Sequence, residues 1–176
     1  MRLFVAINFE RDTLLKLTAL RDKLRSNSSR GNFVPPENLH LTLVFLGECN
    51  QAQVDAAKKA MDKVIFDPFE IRIDSLGRFK RDGSDLWWAG VRENDELLGL
   101  QRALSKALTR AGFSLDRKKY RPHITLGRRV VTRFPPRKVE PFGQIVTSID
   151  LVKSEQVNEV LTYTPIYRVR ENRKKF

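Results

Sequence analysis

The stretch His40-Leu41-Thr42-Leu43 decides the fold, because it returns 83 positions later as His123-Ile124-Thr125-Leu126. Sliding the chain against itself by that offset also aligns residues 2–23 with residues 85–106, with eight identities in 22 positions. A match that extends far beyond a short motif is the signature of an internal repeat. The two histidine motifs are therefore predicted to occupy equivalent places in two halves of the molecule.

Each half has the pattern of a strand, a helix, a loop and a second strand. Residues 3–7 and 86–91 are short apolar runs typical of buried strands. Leucines then recur at three- and four-residue steps, as on the buried face of a helix. They are Leu14, Leu17, Leu20 and Leu24 in the first half and Leu97, Leu100, Leu104 and Leu108 in the second. Polar loops at 26–31 and 116–119 then lead to the motif strands.

The remaining segments predict one more helix and further strands. Apolar spacing indicates a helix at about 51–64, and strands are expected near 67–79 and in two stretches from 143 onward. We expect an α+β fold with two pseudo-symmetric lobes, each an antiparallel-rich sheet flanked by helices, and an active-site cleft between them.

The domain prediction follows from the repeat. We expect a single bilobal domain over residues 1–176, with the repeat covering roughly 2–47 and 85–130. Apolar runs fall short of the roughly 20 residues that a membrane span needs, and the one cysteine cannot form an intramolecular disulfide. We expect a cytoplasmic monomer without a membrane segment, cofactor, metal or obligatory protein partner.

Within each motif, the histidine and the threonine are two positions apart, so on a strand they project from the same face. A single His-x-Thr is most often an ordinary histidine, but these are the only two histidines of the chain and both carry the pattern. Two imidazoles facing one point suit displacement at phosphorus, because one can accept a proton while the other donates one. The threonine hydroxyls can donate hydrogen bonds to phosphate oxygens.

Other catalytic chemistry fits the sequence less well. The chain has no Gly-rich phosphate loop, no Gly-x-Ser-x-Gly elbow and no His-Glu-x-x-His helix. Cys49 follows the first motif strand and is a conceivable nucleophile, although a small residue at the start of a loop is the simpler interpretation. The sequence therefore favours acid and base catalysis by the two histidines.

The charge of the chain favours an anionic partner. The net charge is +12, and a 22-residue window around the second motif holds nine basic residues. They are Arg117, Lys118, Lys119, Arg121, Arg128, Arg129, Arg133, Arg137 and Lys138. A polyanion such as RNA is the expected partner, although many basic proteins bind none.

These motifs resemble the two-histidine phosphoesterases, and among them the RNA 2′,3′-cyclic phosphodiesterases, also called 2′-5′ RNA ligases. The likeness covers nearly the whole chain, including 2–7, 35–47, 87–91, 122–126 and 163–166. It implies hydrolysis of an RNA 2′,3′-cyclic phosphate end to a 2′-phosphate and a 3′-hydroxyl, with 2′-5′ ligation as the reverse reaction.

The resemblance also implies roles for single residues. His40 would be the proton donor to the departing 3′ oxygen, His123 the proton acceptor that activates water, and Thr42 and Thr125 would hold the phosphate. The family pattern places an arginine at position 128.

Strict strand alternation instead favours Arg129 over Arg128, because it puts Arg129 on the face of His123. Arg128 reaches the phosphate only if the strand bulges, for instance at Gly127. Arg128 is the first choice for the phosphate contact and Arg129 the second. Tyr163 and Phe45 are candidates to stack on a nucleobase, with core packing the favoured interpretation of Phe45.

Two alternatives remain open at this stage. The first is a phosphodiesterase for small cyclic phosphates or 2′-5′ oligonucleotides, with the same site and a different pocket. The second is a non-catalytic RNA-binding protein of the same fold. The basic residues beside the second motif favour RNA as the substrate over a small molecule.

Overall fold

Two antiparallel sheets and three α-helices make up the computed structural model, which describes residues 1–172. The elements are β1 (Arg2–Ile7), α1 (Arg11–Ser26), β2 (Ser28–Phe33), a 3-10 turn (Pro36–Asn38), β3 (Leu41–Glu48), α2 (Gln51–Asp62), β4 (Phe69–Phe79), β5 (Asp85–Val91), α3 (Asp95–Arg110), β6 (His123–Thr132), β7 (Arg137–Val146), β8 (Ser148–Val157) and β9 (Val160–Arg170). The predicted α+β class is confirmed.

The strand order is similar in the two sheets. Sheet A runs β3-β1-β8-β9 and sheet B runs β2-β6-β5-β4-β7. Each motif strand, β3 or β6, pairs with the strand that opens its half, β1 or β5. We propose that the repeat of 2–47 and 85–130 is the sequence trace of this correspondence, within one bilobal domain. Residues 173–176 lie outside the described residues.

Sheet B has an additional edge strand that the sequence did not predict. The loop expected at 26–31 was wrong, because α1 continues to Ser26 and β2 then pairs with β6. The polar segment has weak local preference for a strand, and the free edge of β6 supplies the hydrogen bonds that extend it. The strand expected from 143 also begins earlier, since β7 starts at Arg137.

Helices α1 and α3 bury the predicted leucine faces. Leu17 and Leu24 on α1 are fully buried, and so are Leu97, Leu104 and Leu108 on α3. Helix α1 contacts β2 and β7 of sheet B, whereas α3 contacts α2, β3 and β4. The single large core therefore continues between the helices and both sheets.

Both motif strands carry a bulge directly after the motif threonine. Thr42 lies opposite Ala6 and Val44 lies opposite Val5, so Leu43 is an extra residue. In the same way, Thr125 and Gly127 lie opposite Trp88 and Trp87, which leaves Leu126 extra. Both extra leucines are buried in the core. The fourth residue of each motif is thus an apolar bulge that anchors the strand.

The pairing registers of the two halves differ by one residue. Ala6 faces Thr42, whereas the residue facing Thr125 is Trp88 and not Ala89, the repeat partner of Ala6. As a result Phe4 lies on the face that carries Thr42, while its repeat partner Trp87 is buried in the main core. The offset of 83 therefore aligns structurally equivalent residues in the two motifs. In β1 and β5 the structurally equivalent residues are displaced by one position from that alignment.

The outer edge of β3 is bonded by side chains from the second half of the chain. The Tyr120 hydroxyl donates to the carbonyl of Thr42 at 2.7 Å, and the Gln101 amide donates to the carbonyl of Leu43 at 3.3 Å. The reverse exchange occurs at β6, where the backbone N–H of Val34 donates to the carbonyl of Leu126 at 2.9 Å. Each motif strand is thereby tied to the opposite half of the repeat.

We expect Tyr120→Phe to lower the free energy of unfolding by about 1–3 kcal/mol, because a part-buried carbonyl loses its donor while the ring stays. Urea denaturation followed by far-UV circular dichroism measures this. Tyr167→Phe is the matched control, since its hydroxyl bonds Asp62 at the exposed surface. Equal losses in the two variants would contradict a specific role for the Tyr120 bond.

Candidate active site

His40 lies just before β3, in a position fixed by two hydrogen bonds. Its Nδ1 donates to the carbonyl of Asn38 at 2.7 Å, and its Nε2 lies 2.8 Å from Thr42 Oγ1. A carbonyl can only accept, so Nδ1 carries the hydrogen and Nε2 of the neutral ring accepts from Thr42. Asn38 is itself buried, and its amide donates to the carbonyl of Leu161.

His123 opens β6 and is held in the same manner. Its Nδ1 donates to the carbonyl of Arg121 at 2.7 Å, again two residues back along the chain. Within residues 1–172 its Nε2 makes no hydrogen bond. This atom is not fully buried, so it is accessible to solvent. Both imidazoles therefore present Nε2 as the atom that can exchange a proton.

Each imidazole is packed against the edge of an aromatic ring. Tyr163 meets His40 at 5.2 Å between ring centroids and 87° between planes, and Phe79 meets His123 at 5.1 Å and 84°. Phe4 also contacts His40, at 4.8 Å. These contacts restrict the rotation of both rings and hold them in place for the chemistry.

Both histidines favour the neutral form. Burial lowers the pKa of His40 and of His123, and the positive charge of Arg128 lowers both pKa values further. The hydrogen bonds of His40 to the Asn38 carbonyl and of His123 to the Arg121 carbonyl act in the opposite direction and raise the pKa. His123 also lowers the pKa of His40. The two imidazoles and the guanidinium are thus electrostatically coupled, and β3 and β6 are in contact where the sheets meet. The face of each motif strand that carries its histidine and threonine is called the cleft face.

The lowered pKa values link histidine ionisation to stability. The unfolded chain binds protons at pH values near 6.5, where the folded histidines remain neutral. This contribution to stability is complete above the unfolded pKa and is lost as the pH falls through the lower pKa of the folded state.

Arg128 lies on the face of sheet B that carries His123. The bulge at Leu126 interrupts alternation, so Gly127 faces the core and Arg128 faces the cleft. Arg129 has a φ of 54° and lines a separate groove beside Arg30. A bulge of the kind that Arg128 requires is therefore present, one residue before Gly127.

The other candidate residues fall in different surroundings. Tyr163 lines a cavity of about 190 Å³ beside His40, together with Asn38 and Arg168. Phe45 is 70% exposed, so the expectation that it packs in the core was wrong. It pairs with Phe4 at the cleft face, where packing partners are few. Thr125 lies on the cleft face of β6, opposite Trp88.

Cys49 is placed unfavourably for a nucleophile. Its side chain is 5% exposed, its Sγ is directed at the carbonyl of Gly47, and burial raises its pKa. A buried, protonated thiol is unreactive. Among residues 1–172, no group of three His, Cys, Asp or Glu side chains could hold a metal ion. The same residues form no helix long and apolar enough to cross a membrane.

Several residues of the site were missed by the sequence analysis. Asn38 and Arg121 act through backbone carbonyls, which no side-chain pattern reveals. Phe79 lies at the end of β4, and only the register of β4 against β5 brings it to His123. No pattern in the sequence marks Phe79 as a neighbour of His123.

An α+β fold of two antiparallel sheets, each with a His-x-Thr motif on the strand that pairs with the opening strand of its half, is that of a two-histidine phosphoesterase. The family model described as LigT-like phosphoesterase matches residues 9–88 and 90–162. The chain belongs to this family. An RNA 2′,3′-cyclic phosphodiesterase of Thermotoga maritima is 32% identical over 96% of this chain and 92% of its own length. One of Archaeoglobus fulgidus is 36% identical over 73% and 72%.

Solved structures agree with the fold. A crystal structure of a protein from Thermus thermophilus superimposes with a TM-score of 0.86 and 28% identity, over 97% of both chains. Escherichia coli LigT in complex with 3′-AMP gives a TM-score of 0.86 and 27% identity, over 98% of both chains.

We expect Arg128→Gln to raise the pKa of both His40 and His123, because a cation that disfavours their protonated forms is removed. With only two histidines in the chain, NMR titration of the ring C–H signals resolves each one. Arg129→Gln is the matched control and should leave both pKa values unchanged. A larger response to Arg129→Gln would contradict the placement of Arg128.

Proposed function

We propose that this protein hydrolyses RNA 2′,3′-cyclic phosphate ends to a 2′-phosphate and a 3′-hydroxyl without a metal ion. The observation that carries the proposal is the matched orientation of two imidazoles, each with Nδ1 bonded to a carbonyl, with Nε2 of His40 beside the Thr42 hydroxyl and Nε2 of His123 unbonded among the described residues. The relatives from Thermotoga maritima and Archaeoglobus fulgidus are RNA 2′,3′-cyclic phosphodiesterases, which supports the cyclic phosphate as the reacting group. We place the reaction in the cytoplasm, with the protein acting as a monomer and the reverse 2′-5′ ligation sharing the site.

The reaction is a single displacement at phosphorus. His123 Nε2 takes a proton from water as the water oxygen bonds to phosphorus. The bond from phosphorus to the 3′ oxygen breaks, and His40 Nε2 gives that oxygen a proton. The cycle ends with His123 protonated and His40 neutral, so proton exchange with solvent restores the starting state.

Thr42, Thr125 and Arg128 are assigned to the phosphate. When His40 is protonated, its Nε2 donates instead of accepting, so the Thr42 hydroxyl hydrogen becomes available for a phosphate oxygen. Arg128 is exposed and carries a charge that matches the growing negative charge at phosphorus. Tyr163, beside His40, is assigned to the nucleoside of the cyclic end.

The test is to incubate the protein with a short RNA that ends in a 2′,3′-cyclic phosphate and to identify the product. We expect a 2′-phosphate, an undiminished rate in chelator and a bell-shaped dependence of rate on pH. His40→Ala and His123→Ala should each lower the rate by about 10² or more. Their urea midpoints show whether each variant is folded.

Three outcomes would contradict the proposal. A 3′-phosphate product would mean that the 2′ oxygen departs, and loss of activity in chelator would mean that a metal takes part. No hydrolysis by the unaltered protein, with RNA binding intact in both folded histidine variants, would leave a non-catalytic RNA-binding protein as the better interpretation.

The division of labour between the histidines has its own test. Sulfur in place of the 3′ bridging oxygen leaves without protonation, so it should remove the need for the general acid. We expect the sulfur substrate to restore activity to His40→Ala and not to His123→Ala, measured as the ratio of sulfur to oxygen rates in each variant. The opposite pattern would exchange the two roles.

A further inference from the structure

A second groove lies on sheet B, beyond Arg128 as seen from His123. It has a volume of about 520 Å³. Its lining residues are Arg30, Gly31, Asn32, Asp82, Gly83, Ser84, Arg129 and Val131. Asn32 lies opposite Arg128 in the pairing of β2 with β6, so the groove continues the face that carries the cleft. It is therefore a path that leads away from the candidate active site.

The groove holds two uncommitted cations. Arg30 and Arg129 are exposed, and in the described part of the chain neither forms an ion pair or a side-chain hydrogen bond. Asp82 is the acidic residue at its rim, which leaves the lining with an excess of positive charge. Guanidinium groups bind phosphate through paired N–H donors.

The backbone at Arg129 supports a binding role. Its φ of 54° is in the left-handed region, which is unfavourable for residues with a side chain. The adjoining register shifts place this residue in an irregular part of β6, between the pairs Asp85 with Val130 and Trp87 with Gly127. The irregularity directs successive arginines to different places, Arg128 to the cleft and Arg129 to the groove.

We propose that this groove binds the phosphate backbone of the RNA strand on the 5′ side of the cyclic phosphate. The proposal rests on the proposed function, because a cyclic phosphate is a 3′ end and the rest of the strand can leave the cleft only from its 5′ side. Arg30 and Arg129 contact backbone phosphates, whereas the histidines and Arg128 contact the terminal one. The groove therefore makes the enzyme prefer oligonucleotides over cyclic mononucleotides.

The experiment compares kcat/KM for a cyclic-phosphate-ended oligonucleotide with kcat/KM for the matching cyclic mononucleotide, across a series of salt concentrations. Each of the variants Arg30→Gln and Arg129→Gln should lower the ratio of the two kcat/KM values, oligonucleotide over mononucleotide, about threefold or more. The double variant should lower this ratio by about the product of the two single effects. For the oligonucleotide, log kcat/KM should decrease as log salt increases. Removing each arginine should make this negative slope shallower by about 0.7. Asp82→Asn should raise the ratio, because it removes the one negative charge of the lining.

Lys59→Gln on α2 is the charge-matched control and should leave the ratio and the salt slope unchanged. Unchanged ratios in both arginine variants would overturn the groove proposal, as would an equal fall in Lys59→Gln, which would indicate an effect of net charge alone. These results are distinct from failure of the proposed function, in which the unaltered protein would hydrolyse neither substrate.

Discussion

The arrangement of the site depends on how the outer edges of the two motif strands are bonded. An unpaired strand edge leaves carbonyl groups that need donors. At β3 the donors are the side chains of Tyr120 and Gln101, and at β6 the donors belong to β2 and Val34. Because each set of donors comes from the opposite half of the chain, neither motif strand can be positioned without the other half. The positions of both motif strands therefore depend on bonds between the two halves of the chain.

The bulges at Leu43 and Leu126 change which residues lie on the face of the motif threonines. A regular strand would place every second residue on the cleft face, so the residue three positions after the threonine would face the core. The extra leucine reverses this, and Phe45 and Arg128 reach the cleft face. The apolar fourth position of each motif is explained by the same feature, since both leucines are buried.

The sequence predicted those parts of the structure that have a periodic or repeated pattern. The leucine faces of α1 and α3 and the shared face of His40 and Thr42 follow from helix and strand periodicity, and the structure confirms both helices. Strand β2 could not be predicted from residues 28–33, because its hydrogen bonds come from a strand about 100 positions away. The choice between Arg128 and Arg129 likewise depends on a register shift, and the exposure of Phe45 depends on the absence of a covering element.

The two halves of the site share a bulge after the motif threonine and differ in charge. Positions 45 and 128 are related by the repeat offset of 83, yet one is an exposed phenyl ring and the other a guanidinium. Arg128 lowers the pKa of both histidines, and His40 is additionally affected by His123. A fully symmetric pair of imidazoles would have no intrinsic reason to divide the roles of acid and base. Here the charge stands on the β6 side and the apolar ring on the β3 side, so an anionic phosphate and an attached nucleoside meet different surfaces. Under the proposed reaction that difference would orient the substrate, and the orientation would determine which imidazole faces the departing oxygen.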